Sequence, residues 1–119
     1  MPQPLPPMRV LLANEPCAYR EALAAAFRAS RPDAEVVVVD PGGLDDAVAL
    51  RRPVLVVCSD LTEAVEAHAP VWALLYPDGA RLAVSSVAGE RQIAGDIELD
   101  GLLVLADQGA ALAQAVGTP

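Results

Sequence analysis

The stretch Arg51-Arg52-Pro53-Val54-Leu55-Val56-Val57-Cys58-Ser59-Asp60 constrains the chain more than any other. Its apolar run from Val54 to Cys58 has no polar position through which one face could meet water. Bounded by Pro53 and by Ser59-Asp60, such a run reads as a strand buried on both faces. A doubly buried strand needs a layer on each side of its sheet, which points to an α/β arrangement. In open sheets of that kind functional groups gather at the carboxyl ends of the strands, so Ser59 and Asp60 stand where chemistry is expected.

The other segments are read around this strand. Residues 1–7 hold four prolines without apolar periodicity and read as an extended tail, with one domain over 8–119. Met8 to Ala13 is a first buried strand. Asn14, a cap-type residue, and Pro16 then open a helix whose apolar face is Tyr19, Leu23 and Phe27, flanked by Ala22 and Ala26. Arg20, Glu21 and Arg28 fall elsewhere on that helix, and Arg31-Pro32-Asp33 stops it. The valine-rich segment Glu35 to Asp40 is a second strand of the doubly buried type, followed by a turn at Pro41-Gly42-Gly43 and a short helix from Leu44 to Leu50.

From Leu61 to Tyr76 the pattern reads as a helix broken at Pro70, with Val71, Leu74 and Leu75 facing the sheet. Pro77-Asp78-Gly79 is a turn. Arg81 to Ser85 reads as a fourth strand, Val87 to Glu98 as a short, weakly held helix, Leu102 to Leu105 as a fifth strand, and Gly109 to Val116 as a closing helix. Strands alternating with helices five times imply a parallel sheet with helices on both faces.

Sixteen acidic against eight basic residues give a net charge of −8, and every basic residue is arginine. An acidic chain repels a phosphate backbone, and 3 % aromatic residues offer no stacking platform, so nucleic-acid binding is not expected. Cys17 and Cys58 are too few for a disulfide framework and read as two buried, reduced thiols. With no signal peptide or apolar span in the sequence, a cytoplasmic protein without membrane contact is expected. His68 has no partner at metal-binding spacing and reads as a surface or capping residue. Trp72 reads as core or groove lining. The first strand is not followed by a glycine-rich loop, which excludes dinucleotide and P-loop readings.

Several of these segments together resemble the receiver domain of bacterial response regulators, over Met8 to Val116. Arg9-Val10-Leu11-Leu12-Ala13-Asn14-Glu15-Pro16 with Arg20-Glu21-Ala22-Leu23 looks like the family's first strand, acidic pair and first helix. Arg52-Pro53-Val54-Leu55-Val56-Val57 looks like the strand leading to the phosphoacceptor. Pro77-Asp78-Gly79-Ala80-Arg81-Leu82 looks like the approach to the fourth strand, and Asp100-Gly101-Leu102-Leu103 like the start of the fifth. The resemblance implies a doubly wound, five-stranded parallel sheet of flavodoxin-like topology, strand order 2-1-3-4-5. It also implies a phosphoacceptor pocket at Asn14, Glu15, Ser59, Asp60, Ser85 and Leu105.

In that pocket the residues depart from the family's pattern. Asn14 stands in place of one acid of the metal-binding pair, leaving Glu15 alone, and hard divalent cations want several carboxylate oxygens. Ser59 stands where the family has its phosphoacceptor aspartate, with no base placed to activate it. Asp60 is one residue further on, and in a strand that step reverses the side-chain direction. Leu105 falls at the position of the family's lysine, and the hydroxyl of Ser85 alone is retained. The expectation is a phosphorylation-independent pseudo-receiver in signalling, neither an enzyme nor dependent on a metal or cofactor. It would act by binding a protein partner, a regulator or kinase, or a second copy of itself. The family's interaction face implies Ile93, Ile97, Leu99, Leu112 and Val116 as contact residues. The alternative is a small metabolite-binding or weakly catalytic domain using the polar pocket at the carboxyl edge of the sheet.

Overall fold

A computed structural model describes residues 8–117, the side chains of 115–117 excepted; the segment 1–7, read as a tail, lies outside the described residues. Strand β3 (Leu55–Cys58) is buried at every position, as its unbroken apolar run requires. It lies between β1 (Arg9–Ala13) and β4 (Val71–Leu75), with β2 (Glu35–Val38) beyond β1, and all four are parallel. Alternation along the strands then divides the core. Val10, Leu12, Leu55 and Val57 belong to the layer of α1 (Cys17–Ser30) and α4 (Leu99–Gly117), with Phe27, Leu23 and Leu102. Leu11, Ala13, Val56 and Cys58 belong to the layer of α2 (Leu44–Arg51) and α3 (Glu63–His68), with Leu44, Val48, Val65 and Trp72.

The α1 stripe forms on Leu23 and Phe27, with Tyr19 half-buried, and its small companion is Ala24; Ala22 is exposed. Arg20, expected on the outer face, is buried instead. The helix stops where Arg31 N–H still donates to the Phe27 carbonyl and Pro32 has no N–H with which to continue. Strand β2 is shorter than expected and is not doubly buried. Only Val36 is enclosed, because β2 is an edge of the sheet.

Downstream of α3 the architecture departs from the five-stranded parallel sheet. The segment read as the second half of a broken helix is β4, a short apolar run after Pro70 that periodicity cannot tell from a buried helix. From β4 the chain returns through a loop of a few residues, too short for the crossover a parallel strand needs, so β5 (Ala83–Val87) is antiparallel. Ala88 and Gly89, both with positive φ (52° and 88°), then turn it into β6 (Glu90–Ala94), where a weak helix was expected. The sheet is therefore six-stranded and mixed, order 2-1-3-4-5-6.

The expected fifth strand and closing helix are one helix, α4. Leu102, Leu103, Leu105 and Ala106 are buried while Val104 is 55 % exposed, a helical spacing hidden inside an apolar run. Helix α4 packs over β4, β3 and β5. It lies close at Gly109, where a Cβ would stand 2.2 Å from the Val54 carbonyl oxygen. Gly109→Ala should therefore destabilise the protein by about 1–3 kcal/mol or more, seen as a lower urea midpoint. Helix propensity alone predicts the opposite sign, a gain of about 1 kcal/mol.

Candidate functional site

The carboxyl ends of β1, β3 and β4 open onto a cleft of about 970 Å3. Its walls are the loops that follow these strands, with Pro41 and Leu44 contributed from beyond β2. Glu15, Ser59 and Asp60 all line it, so the structure brings these sequence-identified residues together. The first two loops are tied directly: Glu15 N–H donates to Ser59 Oγ at 2.8 Å. Thr62 Oγ1 accepts from Val65 N–H and caps α3. The Glu15-Pro16 peptide is cis.

Sequence reasoning missed the aromatic wall. Tyr19 of α1 and Tyr76 after β4 stack with ring centroids 6.5 Å apart, and both line the cleft with Asp78. Tyr76 has a left-handed backbone (φ 51°), and its hydroxyl donates to Asp96. That hydrogen bond, with burial and the Asp96 charge adding, pushes the phenol up to about 12. Its sequence signal was present as Tyr76-Pro77-Asp78-Gly79, which reads as a turn and says nothing of the ring's direction. No lysine, arginine or histidine lines the cleft among the described residues, while Glu15, Asp60 and Asp78 do.

Asn14 is fully buried rather than capping α1: the residue before that helix is Pro16, and no side chain caps it. Neither Nδ2 nor Oδ1 of Asn14 finds a hydrogen-bond partner among the described residues. Arg20 is 4 % exposed; its Nη2 lies 3.3 Å from Asp40 Oδ1, while Nε and Nη1 have no partner among the described residues.

Ser85 and Leu105 do not join the cleft. They line a second hollow of about 350 Å3 between α4 and the β5–β6 hairpin, with Gln92, Ile97, Val104 and Gln108. The residues assigned to one interaction face are likewise divided. Ile97 lines this hollow, while Leu99 and Leu112 are partly buried against the core. Ile93 borders the same hollow, but by strand alternation its side chain, opposite Val84 in the hairpin, belongs to the other sheet face, and it is 75 % exposed. The Val116 side chain lies outside the described residues. On Ile93's face Arg91 sits 5.2 Å from the Trp72 ring centroid and pairs with Glu66. His68 is exposed at the end of α3, and no group of three or more metal-binding side chains occurs among the described residues. No helix among the described residues is long and apolar enough to cross a membrane.

The two thiols differ. Cys17 is exposed, contrary to expectation, and Cys58 is buried beneath the cleft. Burial first, and then the Asp60 charge, push the Cys58 thiol up to about 12 from 9.0. At pH 8 a thiol reagent should modify one cysteine per folded chain and two per unfolded chain. Because the folded pKa is the higher one, this contribution to stability is complete below pH 9 and is lost as pH rises toward 12. Replacing the unpartnered amide by an apolar group of similar size, Asn14→Leu, should raise the urea midpoint, since an unsatisfied buried polar group costs about 1–3 kcal/mol. Compared with protein families and with curated proteins, the chain matches none.

Proposed function

We propose that this domain is a phosphorylation-independent protein-interaction module with a receiver-like parallel half and no enzymatic activity of its own. The observation that carries the reading is the β5–β6 hairpin. Strand β6 is exposed at every residue and is the last strand of the sheet, and no helix among the described residues covers its outer side. An uncovered edge strand beside an apolar hollow is a surface that binds by adding a strand or seating a side chain. The cleft supports the phosphorylation-independent half of the reading. Ser59, at the position the receiver resemblance gives to the nucleophile, accepts the Glu15 N–H, and no cationic side chain among the described residues lines the cleft to hold a transferred phosphoryl group.

The test is an amide NMR spectrum of the 15N-labelled protein with and without Mg2+ and beryllofluoride, a mimic of phosphorylated aspartate. The signals of Glu15, Ser59 and Asp60 should not move. Shifts centred on them, lost in Asp60→Asn, would show that a phosphoacceptor survives and would overturn the reading.

The cleft supports a second reading, a small-molecule site. Three carboxylates and a stacked tyrosine pair without a basic group favour a cation with an apolar body. A thermal-shift screen with organic amines decides it, because a ligand at a hundredfold excess over its Kd stabilises by about 2.7 kcal/mol. A rise in Tm that disappears in Asp60→Asn would support this reading; no rise with any amine would dispose of it.

A further inference from the structure

We infer that β6 pairs with β6 of a second copy, antiparallel, with Gln92 on the two-fold axis. This rests on the interaction-module reading and names its partner as the chain itself.

The backbone gives the direction of pairing. Ala88 N–H bonds to the Pro70 carbonyl and Tyr76 N–H to the Leu82 carbonyl, so even-numbered residues of β5 point their backbone groups at β4. Odd-numbered residues therefore point at β6, where Val87, Ser85 and Ala83 meet Glu90, Gln92 and Ala94. What remains is the backbone of Arg91 and Ile93, directed outward. No hydrogen bond is made to these groups among the described residues. The strand has no proline, no bulge and no lysine, and its two charged residues, Glu90 and Arg91, are of opposite sign. The opposite edge is different. There Arg28 Nη2 donates to the Val36 carbonyl at 2.9 Å, and Glu35 is bound by Arg9 and Arg51.

Charge and strand length select the register. Outward groups meet outward groups only in registers that differ by two residues. With Gln92 opposite itself, Arg91 faces Ile93 of the other copy and Glu90 faces Ala94, so no like charges oppose each other. A shift one way sets Arg91 against Arg91, and a shift the other way carries Glu90 and Arg91 past the end of the other copy's strand at Ala94, whereas the centred register pairs all five residues. In the selected register Arg91 and Ile93 exchange backbone hydrogen bonds, and the 75 % exposed Ile93 side chains lie diagonally across the seam. Gln92 becomes a non-hydrogen-bonded pair with its Cα atoms about 4.5 Å apart. The net charge of −8 on each copy opposes association, so the test is run at physiological ionic strength or above, where the Debye length is about 8 Å or less.

Sedimentation of the full chain at high micromolar concentration should give twice the 12.3 kDa monomer mass. Ile93→Pro removes one outward N–H without touching the β5 ladder, and should return the mass to one chain with an unchanged circular dichroism spectrum. In a Cys17→Ser background, Gln92→Cys should form a disulfide-linked dimer on mild oxidation, since about 4.5 Å lies within the Cα range a disulfide accepts. Ile93→Cys in the same background should link more slowly. A monomeric wild type that gives no link through Gln92→Cys overturns the inference; so does a folded Ile93→Pro variant that stays dimeric. Neither result bears on the beryllofluoride experiment, whose failure would remove the interaction-module reading and leave the measured mass standing.

Discussion

The constraint on which the fold depends is that β1 and β3 have no face for water. Val10, Leu11, Leu12, Leu55, Val56 and Val57 are all fully buried, so the sheet needs two helical layers and the chain must cross from one to the other. The single phenylalanine, Phe27, anchors one layer and the single tryptophan, Trp72, the other. The rest of the buried core is mainly leucine, valine and alanine, and α4 lies so close to Val54, just before β3, that only a glycine fits at position 109. Such a core gains its stability from many close contacts rather than a few large side chains.

Strands β1, β2 and β3 and helix α1 were legible because their sequence signals are strong. Runs of valine bounded by turn residues favour a strand, and Tyr19, Leu23 and Phe27 at a spacing of four mark a helix face. The second half was misread where short apolar runs suit either structure. Val71 to Leu75 and Leu102 to Leu105 look alike in sequence, yet one is a strand and the other lies within a helix. What separates them is tertiary: the return loop at Tyr76 is short enough for an antiparallel partner, whereas α4 has a sheet face to cover. The hairpin was hidden because Ala88 adopts positive φ, a conformation that asparagine, aspartate or glycine would have announced.

The candidate site was legible only where it depends on the parallel strands. Glu15, Ser59 and Asp60 meet because β1 and β3 are neighbours and both end at the same edge. Ser85 and Leu105 were placed by assuming parallel fourth and fifth strands, and they went elsewhere when those strands proved to be an antiparallel strand and a helix. The buried polar atoms of Asn14 and Arg20 that lack a partner among the described residues leave no trace in sequence, since burial of a single polar residue is decided by tertiary packing.

The two edges of the sheet are unequal, and this governs how far the molecule can grow. At one end Arg28 occupies the Val36 carbonyl, while at the other the outward backbone groups of Arg91 and Ile93 have no partner among the described residues. A body with two open edges can stack without limit, each copy templating the next. A body with one open and one guarded edge reaches closure in a single step, because joining its open ends leaves only guarded edges outward. In the inferred dimer the edge left outward is β2, where Arg28 of α1 already occupies the Val36 carbonyl and leaves one acceptor fewer for a further strand.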